Sequence, residues 1–173
     1  MVQAPATYVV RSLKGPLGFC VEDPSGKVLA DLRPPSIWSR NMEGTVGGER
    51  ARIVSEGFWR PRYAVFVQNT RIGTITSGLW SGMRLSLAMK DAPPMELRFA
   101  RTGLLRTSYQ LKLAKDLALL ELMPVFHWAS FRTDLHVALK GPGIAAGQVA
   151  ILLALAGFCA QLLRSKAKAA AVG

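Results

Sequence analysis

The chain predicts a mainly β fold: an antiparallel up-and-down barrel of about twelve strands, made of repeated hairpins and enclosing a C-terminal hydrophobic α-helix. Three observations carry this expectation. Trp38, Trp59 and Trp80 stand 21 residues apart and Trp128 follows after 48, close to two further periods, with Leu104-Leu105 filling the missing beat. A fixed period in the range of about 20 to 50 residues means one supersecondary unit laid down repeatedly. This unit is too short for a helix pair and suits a β-hairpin. Apolar residues also alternate with polar ones over most of the first 140 residues, and a long uncharged stretch follows near the end.

The strands come in order. Alternation runs through Tyr8-Val10, Phe19-Val21, Val28-Ala30-Leu32, Tyr63-Val65-Val67, Leu85-Leu87-Met89, Met95-Leu97-Phe99, Tyr109-Leu111-Leu113 and Leu135-Val137-Leu139. Period-two burial of this kind marks strands with one face on a core. Turn chemistry separates them at Asp23-Pro24-Ser25-Gly26, Gly47-Gly48, Gln68-Asn69, Asp91-Ala92-Pro93-Pro94 and Ala114-Lys115-Asp116. Each period thus holds a strand, a Trp-bearing connection, a strand and a short polar turn. In a meander, alternate connections share an end of the sheet, so the Trp beats belong at one end and the turns at the other. Twelve open strands would leave edges and accumulate twist, and closure into a barrel removes both.

Such a barrel is too wide for wall side chains to fill. After Gly141-Pro142-Gly143, residues Ile144 to Leu163 carry no charge and present apolar side chains all round. Twenty helical residues span about 30 Å, the length of a barrel bore or of a bilayer. The stretch is rich in Ala and Gly, which lets walls approach, and carries Gln148 and Gln161 near its ends, where rims can satisfy them. A bore helix is therefore expected, with a single C-terminal membrane span over 144–163 as the alternative. The organisation expected is one domain over 1–164 (strands within 7–140, helix 144–163), followed by a frayed basic, Ala-rich tail over 165–173.

The chain of 173 residues holds 22 Lys+Arg against 11 Asp+Glu and has a pI of about 10.4. Setting aside Arg164, Lys166 and Lys168 leaves most of the excess on the barrel, so anionic partners are favoured. Cys20 and Cys159 match no CxxC or zinc spacing and sit in apolar context, as buried thiols of a reducing compartment do. No apolar run followed by a small-residue cleavage site opens the chain, so a secretory signal is not expected.

No catalytic signature emerges, and the expectation is a non-enzyme with no catalytic residue, cofactor or metal. His127 and His136 lack an acid and cysteine cluster. Gly78-Leu79-Trp80-Ser81-Gly82 has its serine one place late for a nucleophile elbow. Glu22-Asp23 reads as turn chemistry. The arginines around the beats are different. Arg40, Arg60, Arg62, Arg84, Arg106 and Arg132 each lie within four residues of a Trp or of Leu105. With the beats at one barrel end, they form a cationic rim beside Trp38, Trp59, Trp80 and Trp128. Indoles at headgroup depth and guanidinium groups on phosphate suit a membrane interface. The competing reading is that the rings plug the barrel mouth while the arginines stay solvated.

Twelve hairpin-linked strands around a C-terminal helix, with beats such as Ile37-Trp38-Ser39-Arg40 and Phe58-Trp59-Arg60-Pro61-Arg62, resemble the tubby C-terminal-like superfamily of phospholipid scramblases and LURP-one-related proteins. The likeness is to its small prokaryotic members and covers about Tyr8 to Leu163. It implies affinity for phosphoinositides through a basic patch, although no local motif here receives those residues. The acidic calcium-binding run that scramblases carry before the terminal helix is represented only by Asp134, His136 and Lys140, so calcium regulation is not expected.

The function expected is therefore a monomeric, cytoplasmic barrel at the inner face of a membrane, binding anionic phospholipid or phosphoinositide. The alternatives are a tail-anchored protein spanning the bilayer with 144–163, and a single-stranded nucleic-acid-binding module.

Overall fold

The computed structural model describes residues 7–13, 17–57, 61–78, 82–90, 92–103, 107–113, 117–130, 132–141 and 144–172. Twelve strands run in order: β1 (Thr7–Ser12), β2 (Phe19–Glu22), β3 (Val28–Arg33), β4 (Met42–Val46), β5 (Glu49–Glu56), β6 (Arg62–Val67), β7 (Thr70–Ser77), β8 (Met83–Leu87), β9 (Met95–Thr102), β10 (Ser108–Leu113), β11 (Ala118–His127) and β12 (Arg132–Leu139). A single helix, α1 (Ala146–Val172), follows. Every strand pairs antiparallel with its sequence neighbour, and β1 pairs with β12, so the sheet is a closed barrel. Closure leaves no unpaired edge.

This topology sorts the connections. Those leaving odd-numbered strands lie at one end, here the Trp end, and those leaving even-numbered strands lie at the other, the turn end. The turns are tight where the sequence permits a left-handed backbone. Gly47 and Gly48 have φ of 61° and 83°, and Gln68 and Asn69 have 49° and 64°, the pairing that a two-residue hairpin of matching twist requires. At the β2–β3 turn, Asp23 Oδ1 accepts hydrogen bonds from the Ser25 amide, the Ser25 hydroxyl and the Lys27 amide. The Ser25 hydroxyl does most to hold this carboxyl below its usual range. The turns expected at Asp91 and at Ala114-Lys115-Asp116 involve residues outside those described, as does Pro142-Gly143.

One glycine is required by the wall itself. Gly44, in β4, lies so close to β3 that a Cβ there would overlap the carbonyl oxygen of Asp31. Gly44→Ala is expected to cost about 1–3 kcal/mol by forcing the two strands apart. A urea titration giving the wild-type midpoint would refute this close approach.

The helix lies in the bore. Leu152 through Ala160 are all buried, and α1 packs against β2, β3 and β4. By length and mean hydropathy the segment could also cross a bilayer, but here those apolar side chains face the barrel wall. Small residues permit the approach: a Cβ on Gly157 would stand only 3.0 Å from Phe19 and 3.1 Å from Val10. Gln161 Nε2 donates to Ser12 Oγ at 2.8 Å, and that hydroxyl in turn donates to the Thr133 carbonyl.

The tail departs from expectation. The helix does not stop at Leu163 but continues to Val172. Ala and Lys are strong helix formers. The extension is also tied to the rim: Arg164 Nη1 donates to the Thr133 carbonyl at 3.4 Å, and Lys166 Nζ to Ser77 Oγ at 2.6 Å.

Packing is uneven along the bore. At the Trp end the inward positions hold large side chains, Phe19, Met42, Tyr63, Met83, Phe99 and Tyr109, all buried. Phe158 meets Tyr63 edge-on at 5.1 Å, and Phe99 stacks on Tyr109 at 5.7 Å. At the turn end the wall residues include Ala51, Val46 and Val67, and the facing helix turn holds Ala146, Gly147 and Ala150. Small residues on both sides leave that end less filled.

Candidate functional site: the Trp end of the barrel

Because β12 finishes at the turn end, α1 must cross the bore and emerge where the Trp-bearing connections lie. Ser12, Ser77 and Thr133, the residues that receive its C-terminal half, are at the Trp-end limits of β1, β7 and β12. The helix thereby adds Arg164 and Lys166 to this end. Sequence reasoning had set those two cations apart as tail. An even strand count followed by one crossing helix was the available signal, since it returns the chain to the end where β1 finishes.

The described candidate residues lie at one end of the barrel. Arg62 and Arg132 are the first residues of β6 and β12, Arg84 is the second of β8, and Arg40 stands two residues before the start of β4. All four are exposed, and among the described residues none has an ion pair. Trp38, in the β3–β4 connection, is 88% exposed, and Trp128, in the β11–β12 connection, is 78% exposed. Neither ring plugs the mouth. That role belongs to Tyr63, Phe99, Tyr109 and Phe158. Arg60, Arg106, Trp59, Trp80 and the Leu104-Leu105 beat lie outside the described residues, although the strand ends flanking them are at this same end.

Two apolar companions were missed. Ile37 is 68% exposed beside Trp38, and Phe126 meets Trp128 edge-on at 4.9 Å while itself exposed. The Phe126–Trp128 tip is steadied by a polar contact between His127 Nε2 and Asp134 Oδ2 at 3.2 Å, with Asp134 buried. His127 is thus a positioning residue for the hairpin, joined to an acid seven residues away that the strand register brings beside it.

The electrostatics of the outer wall are asymmetric. On β3 to β5 charges alternate across the strands, Arg33 opposite Glu43 and Glu43 opposite Arg52. On β8 and β9, Arg84 stands directly opposite Arg98. Like charges opposed in this way destabilise a sheet, and an anion between them would offset the repulsion.

Neither thiol is suited to chemistry. Burial pushes the Cys159 thiol far up, and Cys20 is raised first by burial and then by Glu22. Among the described residues, no three His, Cys, Asp or Glu side chains gather as metal ligands would.

No family model and no curated protein matches the sequence. Among solved structures the chain is similar to the Arabidopsis thaliana protein AT5G01750, with a TM-score of 0.51 and 14% sequence identity, over 88% of this chain and 91% of that one. At that identity the likeness is one of fold: nearly the whole of both chains follows the same architecture.

Proposed function

We propose that the chain is a non-enzymatic barrel of the tubby C-terminal-like kind that docks by its Trp end on membranes bearing anionic phospholipid or phosphoinositide, at the inner face of a cytoplasmic membrane. The observation that carries this reading is the exposure of Ile37, Trp38, Phe126 and Trp128 at the same end as Arg40, Arg62, Arg84 and Arg132, which have no ion pair among the described residues. Exposed indole rings at a barrel end fit the headgroup region, where an apolar body and a polar tip are both satisfied. Guanidinium groups around them bind phosphate oxygens in pairs. Arg164 and Lys166 at the emerging helix end add to the same field. A twelve-stranded barrel closed around its C-terminal helix supports the resemblance to the tubby, scramblase and LURP-one-related proteins.

Flotation with vesicles of phosphatidylcholine, with and without phosphatidylserine or a phosphoinositide, tests the proposal. Recovery at low salt is expected to depend on the acidic lipid. Removing two rim cations, Arg40→Gln and Arg132→Gln together, should weaken partitioning roughly thirtyfold, at about 1 kcal/mol per cation near an anionic surface. Equal recovery on neutral and acidic vesicles would exclude it. A tail-anchored arrangement would require α1 to leave the bore and expose the wall residues it now covers.

A further inference from the structure

The turn end holds a cavity of about 700 Å³ between the first turns of α1 and the ends of β5 to β8. Its origin is the packing gradient along the bore. The helix leans on β2, β3 and β4, and its start here carries Ala145 and Gly147, so the gap toward β5 to β8 stays open. Val67, Ile72, Met89 and Ile151 give the cavity an apolar body. A much smaller apolar cavity of about 10 Å³, lined in part by Ile53, Val65 and Leu155, shares Val67 and Ile151 with it. The larger volume lies within the roughly 300–1,000 Å³ typical of small-molecule sites.

The polar groups lie toward the opening. Lys90 lines it, is exposed, and has no ion pair among the described residues. Glu49, on the opposite side, accepts a hydrogen bond from Gln68 Nε2 at 3.1 Å, so this acid already has a donor. Gln148 also lines the cavity, and among the described residues its side-chain amide makes no hydrogen bond, unlike Gln161 at the other end of the helix. Helix α1 begins here with no acidic residue in its first turn, and its end dipole has the same sign as Lys90.

We propose that this cavity binds a single-chain amphiphile bearing a carboxylate, with the apolar chain between Ile151 and Val67 and the headgroup between Lys90 and the Gln148 amide. The site is separate from the Trp end and takes one molecule in solution, without a membrane surface. An apolar chain is favoured by the lining of Val67, Ile72, Met89 and Ile151. An anionic head is favoured by Lys90 and the Gln148 amide, which have no side-chain partner among the described residues.

Gly147 offers a direct test. Gly147 lines the cavity and a Cβ built there meets no atom within 4 Å, so Gly147→Trp introduces an indole at the cavity without a backbone clash. Calorimetric titration of the full chain with decanoate below its micelle concentration is expected to give saturable one-to-one binding. Gly147→Trp should reduce the affinity at least tenfold at an unchanged melting temperature. Lys90→Met, an exposed position where folding is not at issue, should weaken decanoate about tenfold while leaving decanol unaffected. Several results would each overturn the proposal: no saturable binding to the wild type, equal binding by Gly147→Trp, or decyltrimethylammonium binding as tightly as decanoate. Binding that appears only after removal of residues 1–6 would do the same, because it would assign the cavity to the chain's own beginning. Vesicle flotation of the Gly147→Trp protein should match the wild type, so this site and the Trp end succeed or fail separately.

Discussion

Truncation after Lys140 is expected to abolish folding. Five large side chains of α1, Leu152, Leu153, Leu155, Phe158 and Leu162, are buried in the bore, and each contributes about 1.5–3 kcal/mol when taken from water. Together they rival the whole of the roughly 5–15 kcal/mol that a domain of this kind has in reserve. The loss is larger than that sum, because the helix also covers the inward faces of the strands. Phe19, Leu32 and Met42 on β2 to β4 would face a water-filled bore of a width that wall side chains cannot close. The shortened chain should lose its near-ultraviolet circular dichroism and expose apolar surface to dye, with aggregation the common end. A soluble, cooperatively melting domain of residues 1–140 would be the contrary result. It would show that the wall holds without its filling and that the helix is free to serve as a membrane anchor. Carbonate extraction of the full chain addresses the same choice: release as a folded monomer is expected of a bore helix.

Phe158→Ala is expected to cost about 3–5 kcal/mol, the range for deleting a fully buried aromatic ring. Phe158 is wholly inaccessible and meets Tyr63 edge-on, an arrangement that adds about 0.5–1.5 kcal/mol to simple burial. Relaxation into the space is hindered. The neighbouring turn is already in tight contact through Gly157 with Phe19 and Val10, and Gln161 holds the helix to Ser12 one turn further on. Urea unfolding should show a lower midpoint with an unchanged slope, and Phe158→Leu should fall between the variant and the wild type. An unchanged midpoint for Phe158→Ala would mean that the C-terminal half of the helix is not packed in the bore.

Much of the architecture was legible because barrel construction leaves local traces. Alternating burial wrote the strands, and the Gly47-Gly48 and Gln68-Asn69 pairs wrote hairpin turns that the backbone then confirmed with positive φ. The site was legible in part. Spacing placed Arg40, Arg62, Arg84 and Arg132 beside Trp-bearing connections, and topology put those connections at one end of the barrel. Whether Trp38 and Trp128 filled the mouth or faced outward could not be read, because indoles at a fixed period satisfy either arrangement. The outcome depended on which inward positions were already occupied by Tyr63, Phe99, Tyr109 and Phe158. Ile37 and Phe126 escaped notice for a related reason: each looks like an ordinary core residue until the structure places Ile37 in a connection and Phe126 at an exposed strand end. The helix limit was misplaced at Leu163 because composition marks where apolar character ends, whereas the helix ends where backbone and rim contacts do.

By itself, then, the sequence determined a twelve-strand hairpin barrel, the sharing of one end by the Trp beats, and an apolar C-terminal helix. These follow from short-range periodicity and turn chemistry, which act over a few residues. Tertiary structure alone decided that the helix lies in the bore, that Arg164 and Lys166 join the Trp end, that Arg84 faces Arg98, and that a cavity opens at the turn end. Each of these depends on strand register and on the volumes of side chains far apart in the chain, and neither quantity is expressed in local pattern.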